Sequence, residues 1–104
     1  MTARDSPTDE LLSGAVIAHL GKGRSAFPVS DDEAVLRLAG DHGADVLQRV
    51  SELEDEMMAV GIDWDQFSLT EGGDQARSVL ADRHPELSPA ALDALRWMFT
   101  YNWR

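Results

Sequence analysis

The sequence predicts an all-α fold, a compact bundle of four to five short helices, from three observations. The first is periodicity: Val46, Val50, Leu53, Met57 and Val60 recur at alternating steps of four and three, one apolar stripe on an α-helix. The second is punctuation. Ser-Pro pairs, cap-spaced acidic residues and Gly stops divide the chain into segments of helical length. The third is the lack of strand partners. Only Trp97, Phe99, Tyr101 and Trp103 alternate at period two, and no second segment offers them a pairing strand. That segment is therefore expected to be helical, fraying toward its end.

Each element follows from local signals. The first helix is expected to start at Ser6-Pro7 or Thr8, with residues 1–7 frayed, and to bury Leu12, Val16 and Leu20. Leu11, Ala15 and Ala18 widen that stripe, and Gly21-Lys22-Gly23 ends it. In the loop over 21–30, Phe27 is expected to plug the core. Ser30 through Glu33 has capping-box spacing and opens a short helix through Ala34, Val35, Leu36 and Leu38 to Gly40.

The central helix is expected to be capped by Asp45, paired with Gln48 three residues on, and stopped by a left-handed Gly61. Asp63 through Gln66 repeats the cap spacing, so a turn of helix follows, with Trp64, Phe67 and Leu69 pointing inward. Gly72-Gly73 should then break the chain. Asp74–His84 forms a short helix carrying Ala76, Val79 and Leu80, stopped by Pro85. Ser88-Pro89 starts the last helix, with Leu92, Leu95, Phe99 and Trp103 on one face. Its aromatics are assigned mainly to the core, with Tyr101 and one tryptophan partly exposed.

Composition narrows the function classes. A chain of 104 residues reads as one acidic helical domain. Without cysteine there is no disulfide framework and no thiolate metal site. No apolar run approaches the roughly 20 residues that span a bilayer, and residues 1–8 lack the apolar core of a signal peptide. A cytoplasmic location is expected. Nineteen acidic residues face nine basic ones, and Asp31 to Asp74 holds thirteen carboxylates against Arg37 and Arg49. Such a field disfavours nucleic acid and anionic membranes and favours a basic protein partner.

The stretch Gly43-Ala44-Asp45-Val46-Leu47, then Val50, the acidic run Glu54-Asp55-Glu56 and Gly61-Ile62, resembles the acyl carrier proteins. These are small acidic four-helix bundles that carry acyl groups on a phosphopantetheine arm. Residue-level similarity covers 41–62, and residues 86–104 have no counterpart. The resemblance implies a helical bundle with an acidic recognition helix. It does not imply acyl carriage, because Val46 stands where the family attaches its arm through a serine hydroxyl. Ser51 lies about one and a half turns further into the helix, too far to substitute.

Other chemistries lack their residues. Gly21-Lys22-Gly23 is too far from Gly14 for a phosphate loop. Asp63 and Asp65 hint at a calcium loop, but Phe67 and Ser68 occupy positions that need an oxygen ligand and a glycine. His19, His42 and His84 show no ligand spacing. No catalytic, cofactor-binding or metal-binding residue is assigned.

The expected function is a non-catalytic, acidic protein-binding module, carrier-protein-like but without a prosthetic group. Its partner-binding residues are Asp41, His42, Asp45, Glu52, Asp55, Glu56 and Tyr101, with the glutamates and Asp55 forming a surface face that can be reversed in charge without loss of stability. Two alternatives stand beside it. One is an immunity-type inhibitor that neutralises a basic toxin with charge and aromatic anchors. The other is a ligand binder or enzyme with a pocket under the C-terminal aromatics.

Overall fold

In a computed structural model, residues 8–103 describe five α-helices: α1 (Glu10–Leu20), α2 (Asp32–Ala39), α3 (Gly43–Met58), α4 (Leu69–Arg83) and α5 (Pro89–Trp103). A 3-10 turn, Gly40–His42, joins α2 to α3. The fold is all-α, as the periodicity predicts, and no strand forms among the described residues. The expectations for residues 1–7, including a start at Ser6-Pro7, lie outside that range.

Asp9 caps α1, accepting from Leu12 N–H at 2.9 Å, and its own N–H donates to Glu86 O at 2.8 Å. Buried Ser13 accepts from Ser88 N–H at 2.9 Å, so α1 is tied to the start of α5. Gly21 ends α1 in the left-handed conformation, φ 75°, as expected. The following loop does not insert Phe27, which is 52 % exposed. Val29 N–H donates to Leu20 O at 3.0 Å, and Val29 Cγ2 would lie 2.8 Å from a Cβ on Gly21. Val29, half-buried, covers the helix end instead.

Several expected boundaries shift. Asp31, not Ser30, caps α2, accepting from Ala34 N–H at 3.1 Å. The central helix opens at Gly43 rather than at Asp45. The 3-10 turn feeds directly into it, so Asp45 sits in the first turn as a charge near the helix N-terminus and caps nothing. That helix ends at Met58, and Gly61 is not left-handed. Val60 and Ile62 both pack against the core, which draws the chain away without a glycine turn. Asp63 accepts from Asp65 N–H at 3.1 Å and closes a turn, not a helix. Of the three side chains expected to point inward there, Phe67 and Leu69 are half-buried and Trp64 is exposed at the core edge.

Gly72-Gly73 does not break the chain. Both glycines are buried inside α4, which opens five residues before Asp74 on a capping box of Ser68 and Glu71. Glu71 N–H donates to Ser68 Oγ at 3.2 Å and Ser68 N–H donates to Glu71 Oε1 at 2.9 Å. A Cβ at Gly72 would run into the Trp64 ring, and one at Gly73 would lie 2.6 Å from Thr100 Cγ2. The pair is there for close approach, and helix propensity yields to packing.

Val16, Leu20, Val35, Val50, Leu53, Met57, Leu80, Leu95 and Phe99 fill the core, so every helix contributes. Burying each such side chain contributes roughly 1.5–3 kcal/mol. Residues 97–103 are helical, with Phe99 buried, Trp97 half-buried and Tyr101 and Trp103 exposed. Trp64 lies against Phe99 and Trp103 at ring-centroid distances of 6.1 and 5.4 Å, extending the core to the surface.

Candidate functional site

Five of the expected partner-binding residues are exposed along one side of the 3-10 turn and α3. Asp41 and His42 belong to the turn. Asp45, Glu52 and Asp55 share an exposed helical stripe with Gln48 and Ser51. The side chains of Asp41, His42, Asp45 and Asp55 engage no hydrogen-bond or ionic partner among the described residues, while Glu52 stands 3.8 Å from Arg49.

Glu56 differs. It turns toward the end of α4, where its two oxygens lie 2.9 Å from His84 Nε2 and 3.1 Å from Arg83 Nη1. Burial opposes its charge, but the hydrogen bonds from His84 and Arg83 outweigh it, so the carboxyl titrates below the usual glutamate range. The Arg49 guanidinium adds to this cluster, 3.3 Å from His84 Nδ1 and 3.4 Å from Glu86. Glu56 is therefore part of the α3–α4 joint.

Glu54, next to it, is also occupied. Its Oε2 lies 2.5 Å from Nδ1 of His19, whose Nε2 lies 2.8 Å from Asp32. His19 is only 4 % exposed, so α1, α2 and α3 meet at a buried imidazole between two carboxylates. The hydrogen bond to Glu54 raises its pKa above the ordinary histidine value, burial opposes this, and Asp32 adds to the rise. Both ring nitrogens are engaged, so neither is open to a substrate. A histidine on the Leu12–Val16–Leu20 stripe was a legible sign of burial, but its partners, 13 and 35 residues away, were not.

The stripe also borders a groove of about 330 Å³ between α1 and the start of α3. Leu11, Leu12 and Val46 form its apolar part, and Asp9, His42, Asp45, Arg49 and Glu86 surround them. Val46 thus lies in the first turn of the helix, half-buried in the wall of an open groove.

Tyr101 is not brought to this site. It lines a separate cleft of about 290 Å³ with Leu69, Thr70, Arg96, Trp97 and Thr100. Arg96 there is held by Asp74 and the Thr70 carbonyl, at 2.8 and 3.0 Å. Among the described residues no group of three His, Asp or Glu side chains is arranged to hold a metal ion.

No known protein family, curated protein or solved structure matches the chain.

Proposed function

We propose that this protein is a non-catalytic, acidic protein-binding module whose partner is basic. The observation that carries the reading is the exposed stripe of Asp41, Asp45, Glu52 and Asp55, of which, among the described residues, only Glu52 has an ion-pair contact, a loose one to Arg49. Repulsion along such a stripe is relieved when a basic surface docks, and complementary charge speeds the encounter. The carrier-like form of the reading draws support from Val46, which occupies the first turn of the acidic helix, where the resemblance places the attachment residue. Valine has no nucleophile, so carriage itself is outside the proposal. The immunity-type form draws on the exposed rings of Tyr101 and Trp103, which lie apart from the acidic stripe.

The test is capture of a partner on the immobilised chain, followed by association kinetics. The expected partner is basic, and its on-rate falls as salt rises, since exposed charges are screened beyond about 8 Å at physiological ionic strength. Binding that is indifferent to salt and to reversal of Asp45 and Asp55 to lysine would refute the reading. Incubation with coenzyme A and a promiscuous phosphopantetheinyl transferase should leave the intact mass of the native chain unchanged. An adduct on Val46→Ser alone would favour the carrier-like form.

A further inference from the structure

We infer that the groove between α1 and the start of α3 is the docking point, and that it takes an apolar anchor side chain flanked by arginine or lysine on the partner. The inference rests on the protein-binding reading and states where and by what chemistry the partner is held. No described side chain fills the groove: Leu11 is 37 % exposed although it lies beside the buried Leu12, and Val46 is half-buried at the other wall. An aliphatic side chain seated between them would remove that surface from water.

Charge selects the occupant. Three carboxylates, Asp9, Asp45 and Glu86, border the groove against one guanidinium, Arg49. Asp9 is engaged through one oxygen by Leu12 N–H, and Glu86 shares Arg49 with His84. Among the described residues Asp45 has no side-chain partner, and neither has Asp41, which stands beyond it in the 3-10 turn. A guanidinium or ammonium flanking the anchor therefore finds an acceptor without displacing an internal one. An acidic segment meets repulsion at every side except Arg49. The other half of α3 borders no such groove: Glu54 and Glu56 are held by His19, His84 and Arg83, and Glu52 and Asp55 are exposed but do not line it. A partner cation at Glu54 or Glu56 would only exchange one ion pair for another.

The probe is a synthetic helical peptide of about twelve residues, with leucines on one face and arginines on the other. It is titrated into the isotope-labelled full chain and followed by amide chemical shifts. Two companion peptides replace its leucines by serine or its arginines by glutamate. Shifts should concentrate at Leu11, Leu12, His42, Asp45 and Val46. Asp45→Lys and Leu11→Ser should each weaken binding about fivefold or more, the serine peptide about tenfold, and Asp55→Lys less than about twofold. Both Asp45 and Leu11 are exposed enough for the variants to fold, which melts would check. Shifts centred on Glu52–Glu56 or on Tyr101, or equal losses in Asp45→Lys and Asp55→Lys, would overturn the groove and leave the acidic-module reading standing. Equal binding of the glutamate peptide, or no saturable binding of the arginine peptide, would overturn both.

Discussion

The two ends of α3 carry similar charge in the sequence and have opposite fates in the fold. At the N-terminal end Asp41 and Asp45 are exposed, without side-chain partners among the described residues, beside a groove with an apolar strip of Leu11, Leu12 and Val46. At the C-terminal end Glu54 and Glu56 are each clamped by a histidine from another helix or its cap, Arg83 adds a guanidinium at Glu56, and only Asp55 between them faces solvent. The difference teaches that a run of carboxylates is not a measure of the charge a surface presents. Glu54 and Glu56 join helices, and Asp41, Asp45, Glu52 and Asp55 face outward.

The largest effect that would break this contrast lies at His19. His19→Ala leaves Glu54, 15 % exposed in its side chain, without its imidazole partner, and should cost roughly 2–4 kcal/mol in denaturant melts. Asp32 is 62 % exposed and adds little to that cost. A double variant, His19→Leu with Glu54→Leu, should recover much of the loss. If the single variant is as stable as the parent, the clamp has no structural role.

Next comes charge reversal. Glu56→Lys should cost about 1–2 kcal/mol through lost bonds to His84 and Arg83, whereas Asp55→Lys should stay within about 0.5 kcal/mol and Asp45→Lys, which puts a cation at the helix N-terminus, within about 1 kcal/mol. The triple reversal of Glu52, Asp55 and Glu56, expected from sequence to leave the melting temperature nearly unchanged, should therefore lower it through Glu56. Equal effects at Glu56 and Asp55 would erase the distinction between the two ends.

The same contrast predicts a pH profile. The raised pKa of His19 gives a contribution fully present below the unfolded value of about 6.5 and lost as pH rises through the folded value. The lowered pKa of Glu56 gives one fully present above the unfolded value of about 4.5 and lost as pH falls through the folded value. Both contributions are complete only between these limits, so melting temperatures should be highest in mildly acidic buffer. His19→Gln should flatten the alkaline limb and Glu56→Gln the acid limb. A profile unaltered by either variant would sever the link.

The smallest effects separate true caps from acidic neighbours. Asp9→Ala and Asp31→Ala should each cost about 1 kcal/mol, because each removes an acceptor from a helix N-terminus. Asp45→Ala should cost only about 0.3–0.5 kcal/mol, the loss of a charge near the dipole. Parity among the three in thermal melts would restore Asp45 as a cap.

Much of the fold was legible locally. The stripe through Val50, Leu53 and Met57 is buried as its period requires, Gly21 stops α1, and Ser88-Pro89 starts α5. Ser68 and Glu71 also have capping-box spacing, a local signal for the start of α4 that the expected start at Asp74 misses. Of the candidate site, the acidic stripe could be placed on one helix, but its pairing could not. Helix period and cap chemistry are set by residues within a turn of one another, and so sequence determined them. Tertiary structure alone decided that Gly72-Gly73 serves packing against Trp64 and Thr100, that Val29 and not Phe27 covers the end of α1, and that Glu54 and Glu56 are neutralised while Asp45 is not. Those outcomes depend on side chains tens of residues apart meeting in space, where burial and Coulomb attraction act on distance and not on sequence separation.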